Sequence, residues 1–414
     1  MYTPIALREL VAGVIPHLKK LVLFQFSVPL DSDSQPTQSW VGFGQQPKAQ
    51  GSLDYLSIHD GAQFVERQLK SLQEDTDFTT LKVLKIPSVD LEALEYLIAN
   101  CHFPILTQLA VNLGPIYYRS VNHNYFPAAK SFLLSLPALS VLHLSEWHSD
   151  IAMEAVLEHH GSRLYELSIS PSTGVTATLE DLKHVARYCP LLEKLTIKIK
   201  RSKGDVQEVA SYKTIGALPR LQHLYLDLDA SDLNLLPARD SLRKNFVTRN
   251  DPTFDAFDKQ YCDQYFDYSL QRPRNGHLKD AFVNGALDNE LARSIFHTIS
   301  SAQTSCGMLE SLEVKVTGAG CFIWNTLNID ERGFRDVLET MGRPRRVFRI
   351  NSSSSSSGRE TKVGLVKGWR PYKRISEPSE LAPFAKEIFQ RIWPPKTENW
   401  WEDWHSVPLV ESGD

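Results

Sequence analysis

Apolar residues recur along this chain in one short pattern, Leu-x-x-Leu-x-Leu, with Ile or Val allowed at the last place. The copies read Leu18-Leu21-Leu23, Leu53-Leu56-Ile58, Leu81-Leu84-Ile86, Leu106-Leu109-Val111, Leu139-Leu142-Leu144, Leu164-Leu167-Ile169, Leu192-Leu195-Ile197 and Leu221-Leu224-Leu226. A ninth is Leu309-Leu312-Val314. Successive copies start 35, 28, 25, 33, 25, 28, 29 and 88 residues apart. The last two apolar places of each copy share one side of a short strand, and the residues between them face the other way. Between copies the apolar spacing changes to threes and fours, as in Leu7-Leu10-Val11-Val14, Leu91-Leu94-Ile98-Cys101 and Leu182-Val185-Ala186-Cys189. That spacing predicts helices.

One strand-helix unit cannot bury its own apolar face, so neighbouring units must stack. The expected fold is α/β: a curved solenoid over residues 5–320, with a parallel sheet inside and helices outside. An ordinary doubly wound α/β domain with Leu-rich strands shares the alternation. Nine copies, eight of them at similar intervals, favour the solenoid.

Two junctions carry a resemblance. His184 to Ile197 reads HVARYCPLLEKLTI, and Val14 to Leu23 reads VIPHLKKLVL. The first resembles the cysteine-containing leucine-rich repeat, in which a helix ends in Cys-Pro just before the strand. Cys101 in LIANCHFPILTQLAV resembles it with two extra residues. These irregular repeats are similar to the repeat half of F-box/leucine-rich-repeat proteins, notably the fungal type. The segment Leu287 to Val316 resembles that group's last helix-strand unit. The resemblance implies a non-enzymatic interaction module, like the substrate-receptor part of a ubiquitin ligase, holding a protein partner on its concave face. A leucine-rich-repeat scaffold without a ubiquitin connection is the alternative.

An F-box is a three-helix segment ahead of the repeats, and here the first helical pattern opens at Ala6-Leu7-Arg8. The expectation is either a chain shortened relative to its relatives or a repeat protein without the box. A cullin-RING adaptor is a partner only if an F-box lies upstream, and adaptor binding is carried onto no residue of this sequence. Leu7, Leu21 and Leu23 are expected in the first unit with part of its edge open, since Met1 to Ile5 is short for a terminal cap.

The remaining segments depart from the repeat. Residues 31–52 read as a long polar loop, and 229–307 as an insertion. Within the insertion, Phe254, Phe257, Tyr261 and Tyr265 are spaced for an amphipathic helix packed on the array. Residues 341–375 carry ten Lys or Arg against one Glu, with six serines at 352–357, and read as a basic, solvated linker. Residues 376–414 form a tail in which Trp393, Trp400, Trp401 and Trp404 are expected to pack on the end of the array.

Composition removes several functions. The 414 residues are 42% hydrophobic and 23% charged, with a net charge of −4, which argues against general disorder and against a globally basic nucleic-acid binder. The five cysteines form no CxxC pair, so reduced thiols in the cytoplasm or nucleus fit better than a disulfide framework. Leu97 to Tyr118 lacks Asp, Glu, Lys and Arg, but Asn100, Pro104 and Pro115 would leave a membrane helix polar and broken. Gly42 and Gly44 do not complete a dinucleotide fingerprint, and the spacing of His143, Glu146 and His148 matches no zinc protease. His159-His160 is expected at the surface of a helix end. No catalytic, cofactor-binding or metal-ligating residue is assigned, and no cofactor is expected. What remains is a face of residues alternating with the apolar strand positions. Its candidate partner contacts are His143, Trp147, Glu166, Lys194, Lys198, His223, Tyr225 and Asp227.

Overall fold

The structure is a computed structural model. It describes residues 18–25, 51–60, 66–114, 123–171, 175–231, 252–262, 274–304, 309–319, 347–355, 358–366, 381 and 383–410. Leu7, Tyr265, Gly42, Gly44 and the expected loop over 31–50 lie outside the described residues, as do most of the basic run before Val347 and the side chain of Leu23. The chain divides into two compact units, Met1–Val175 with Arg187–Leu192 and Thr176–Ala186 with Glu193–Asp414. Strands alternate with helices through most of both, and the strands are mostly parallel.

In the first unit the strands are β1 Lys20–Gln25, β2 Tyr55–Asp60, β3 Val83–Ser88, β4 Gln108–Asn112, β5 Val141–Trp147 and β6 Glu166–Pro171. Each pairs in parallel with the next. The intervening helices are α1 Glu66–Asp75, α2 Leu91–Asn100, α3 Tyr125–Ser135 and α4 Met153–His160. The repeat is visible in the register. Leu56, Leu84, Leu109, Leu142 and Leu167 lie side by side, as do Ile86, Val111, Leu144 and Ile169. All are buried, and so are the opening leucines Leu53, Leu81, Leu106, Leu139 and Leu164.

The residue after each opening leucine carries a second repeated device. The carbonyl of Lys19 accepts the N–H groups of Asp54 and Tyr55, that of Asp54 accepts Lys82 and Val83, and that of Lys82 accepts Thr107 and Gln108. The scheme continues through Thr107 to Ser140 and Val141, and through Ser140 to Tyr165 and Glu166. Each copy therefore satisfies the entry backbone of the following strand, which pins the strands to one register.

The second unit contains most of α5 Leu179–Tyr188, then β7 Lys194–Lys200, α6 Val206–Gly216, β8 His223–Asp229, α7 Asn275–Gly285, α8 Asn289–Ala302 and β9 Ser311–Thr317. β7, β8 and β9 are parallel, with Leu195, Leu224 and Leu312 in one row and Ile197, Leu226 and Val314 in the next. Glu193 O and Gln222 O repeat the paired-acceptor device. The long insertion leaves this pairing intact, because β9 follows β8 directly.

Two expectations change here. Residues 252–262 form turns, not a helix: the Asp255 carboxylate accepts the N–H groups of Phe257 and Asp258, both at 2.8 Å. These bonds cap a single turn, in which Lys259 N–H donates to Asp255 O, and the turn is not continued. Phe254 is buried against Gly276 and His277, while Tyr261 is exposed. The segment expected as a linker contains β10 Val347–Ser355 and β11 Gly358–Leu365, an antiparallel hairpin whose first strand pairs with β9. Phe348 and Ile350 stand opposite Val314 and Leu312 and extend the buried rows by one strand.

The tail packs within the second unit through α9 Pro383–Ile392 and the short α10 Trp400–Asp403. The Trp404 indole donates to Phe282 O at 3.0 Å, and Phe389 and Trp404 both meet the Phe282 ring edge-on. Ser406 donates through its amide and hydroxyl to Asp288, the residue that caps α8.

Candidate functional site

Alternation places the candidate contacts on the strand face opposite the buried leucines. In the second unit the register forms rungs across β7, β8 and β9: Lys194 with His223 and Ser311, Thr196 with Tyr225 and Glu313, and Lys198 with Asp227 and Lys315. Leu195, Ile197 and Ile199 are buried, whereas Lys194 is exposed and Thr196 and Lys198 are half-buried.

These side chains contact one another along and across the rungs. His223 Nδ1 and Ser311 Oγ are 2.8 Å apart. Lys315 Nζ lies 3.2 Å from Asp227 and 5.4 Å from the centre of the Tyr225 ring, and the Thr317 hydroxyl donates to Asp227 at 2.7 Å. Lys198 Nζ is 3.3 Å from the buried Asp229 carboxylate. Arg349 on β10 closes the row by donating to Glu313 at 2.5 and 3.1 Å. Burial works against the Lys315 ammonium, but Asp227 and then Tyr225 outweigh it, so its pKa is raised. Each cross-strand pair contributes about 0.2–1 kcal/mol, so the network sets side-chain positions more than it sets stability.

In the first unit His143 Nε2 and Glu166 Oε1 are 2.9 Å apart, joining two candidate contacts between β5 and β6. Trp147 departs from the expectation. It is 3% exposed, a core residue with no partner-facing surface. Glu146 has a φ of 54°, and the register shifts between Ser145 and Trp147. This irregularity turns the indole inward where strict alternation would have turned it out. The candidates thus form two groups, His143 and Glu166 in one unit, and Lys194, Lys198, His223, Tyr225 and Asp227 in the other.

The outward strand positions of each unit also hold contacts absent from the candidate set. Tyr55 sits under Lys20 at 4.5 Å and Lys85 at 5.8 Å, and Glu313 pairs with Arg349. Tyr55 immediately precedes Leu56 and Lys85 lies between Leu84 and Ile86, so the rule that found His223 and Tyr225 also reaches them. Arg349 is outside the repeat and carried no such signal.

His159 is exposed at the helix end as expected, but His160 is not at the surface. His160 is fully buried, accepts the Leu139 N–H at Nδ1 and donates from Nε2 to Leu133 O at 3.0 Å. His159 donates to Leu136 O at 2.7 Å. The pair satisfies groups at the end of the preceding α3. Burial first, then His159, pushes the His160 pKa down to about 4. Cys101 and Cys189 are buried at the ends of α2 and α5, and burial pushes both thiols up to about 12. Both are therefore inert packing groups, not nucleophiles.

Among the described residues, no group of three His, Cys, Asp or Glu side chains could hold a metal ion, and no helix is long and apolar enough to cross a membrane. Neither protein-family models nor curated proteins match the chain.

Proposed function

We propose that this chain is a leucine-rich-repeat solenoid that acts as a non-enzymatic protein-interaction module, and that its outward strand residues hold a protein partner. The observation that carries the reading is the rung pattern: every strand from β7 to β9 contributes polar or aromatic side chains to one face while its leucines are buried. That face mixes Lys194, Lys198 and Lys315 with Asp227 and Glu313, and adds Tyr225 and His223. Mixed sign favours a protein surface over a polyanion, which selects for positive charge alone. Tyr225 supplies contact area with little conformational entropy to lose, as in interface anchors generally.

By its resemblance the module corresponds to the substrate-binding repeat region of an F-box receptor in the cytoplasm or nucleus. The test is affinity purification of the native gene product followed by mass spectrometry. Recovery of a cullin and its adaptor together with a further protein supports the receptor. Recovery of other proteins without them supports a scaffold unconnected to ubiquitin. No specific co-purifying protein would contradict both.

A further inference from the structure

β11 is the last strand of its sheet, and among the described residues no strand pairs with its other edge. The phase of the hairpin decides which backbone groups face that edge. Val366 N–H donates to Val347 O at 2.9 Å, and the register sets Gly364 opposite Arg349 and Lys362 opposite Asn351. Bonded and non-bonded pairs alternate along an antiparallel ladder. Residues 362, 364 and 366 therefore bond to β10, while the N–H and C=O groups of Thr361, Val363 and Leu365 point away from it. The same three residues continue the core face of the sheet. Leu365 stands opposite Phe348, which is 3% exposed, and Val363 opposite Ile350, which is 0% exposed. Leu365 itself is 57% exposed. Apolar side chains and outward backbone groups thus lie together along one unpaired edge, the arrangement that templates strand addition.

We propose that this edge is a self-association site, where β11 pairs antiparallel with β11 of a second copy about a two-fold axis. The strand is complementary to itself in one register. An axis at Lys362 would set that ammonium opposite itself, which is unfavourable. An axis at Thr361 would set Val363 opposite Arg359. An axis at Val363 sets Val363 opposite Val363, Leu365 opposite Thr361 and Lys362 opposite Gly364. The apolar row of Leu312, Ile350 and Val363 then runs on into the same row of the second copy. A Cβ at Gly364 would meet nothing within 4 Å, so the Lys362 side chain has room there. This register also pairs residues 361, 363 and 365 with one another, as their outward backbone groups require. The contact is one short strand, so the dimer is a weak one that forms and dissociates with concentration. It does not rest on the proposed role of the open strand face.

The experiment is sedimentation velocity of the full chain over about 1–100 μM, the range in which a weak dimer dissociates. The expected result is a shift from monomer to dimer as concentration rises. Val363→Pro removes an outward N–H and leaves the ladder to β10 intact, so the strand tolerates it, and dimerisation should weaken about tenfold or more. Val363→Lys opposes two ammoniums on the axis and should have the same effect without any change to the backbone. Circular dichroism checks that both variants are folded. Val363→Cys reads the register. Bonded antiparallel residues have Cα atoms about 5.5 Å apart, within disulfide range. Added diamide should therefore join two copies of Val363→Cys, but not of wild type or of Thr361→Cys. A monomer at every concentration, a dimer that survives both Val363→Pro and Val363→Lys, or cross-linking of Thr361→Cys as readily as Val363→Cys would overturn the proposal.

Discussion

Leu195 is 1% exposed and lies between Lys194 and Thr196, both on the open face. Leu195→Ala should therefore cost about 2–5 kcal/mol through lost transfer energy and the cavity left behind. Lys194→Ala should change stability by no more than about 0.5 kcal/mol. Urea denaturation of the two variants checks the inward and outward assignment directly; similar losses would contradict it. His160 makes a separate prediction. Its folded pKa of about 4 lies below the ordinary 6.5. Between those values the unfolded chain binds a proton that the folded chain does not, so stability is complete above pH 6.5 and falls as pH drops towards 4. The shift is worth about 3 kcal/mol in full, and roughly 2 kcal/mol of it is lost between pH 7 and pH 5. His160→Gln should remove that share of the pH dependence, measured as unfolding free energy at the two pH values. An unchanged slope would show that His160 is not the titrating group.

The start of α6 concentrates several buried groups. Asp205 caps the helix by accepting the Glu208 N–H at 2.9 Å. Lys203 and Gly204, with φ of 61° and 74°, curl the preceding loop around the Glu208 carboxylate, which accepts Ser202 N–H at 2.7 Å, Gly204 N–H at 2.9 Å and Tyr212 O–H at 2.6 Å. Its remaining partner is the fully buried Arg201 guanidinium. Removing the carboxylate would leave that cation buried and uncompensated. Glu208→Ala should cost about 3–5 kcal/mol, read from the denaturation midpoint, and a loss under about 1 kcal/mol would contradict the arrangement. Sequence periodicity held no sign of this cluster, because Arg201 follows the strand as an ordinary polar loop residue would. The 252–262 turns were hidden for a related reason. Phe254, Phe257 and Tyr261 keep helical spacing, and the Asp255 carboxylate caps one turn in which Lys259 N–H donates to Asp255 O, but the turn is not continued into a helix. The β10 strand offered only Phe348 and Ile350 as apolar alternation among arginines and serines, so charge and composition masked it.

For the whole chain, the legible part was what repeats. Leu84, Leu109, Leu142 and Leu167 could be aligned from spacing alone because each copy solves one burial problem with one set of positions, and the structure places them in one row. Even Leu312, across the 88-residue gap, stands opposite Leu224. The rest occurs once and was less legible: the bulge that buries Trp147, the hairpin after β9 and the tail on Phe282. The open face was legible as a set of positions, while its ion pairs were not, since they depend on register between strands. The central claim is that this face holds the partner. The measurement is the affinity of a purified partner for the full chain and two charge-reversed variants, Lys194→Glu on the face and Lys183→Glu on the exposed side of α5. The account predicts about tenfold weaker binding for Lys194→Glu and unchanged binding for Lys183→Glu. Equal affinities for wild type and Lys194→Glu, with loss at Lys183→Glu, would place the partner on the helices and contradict it.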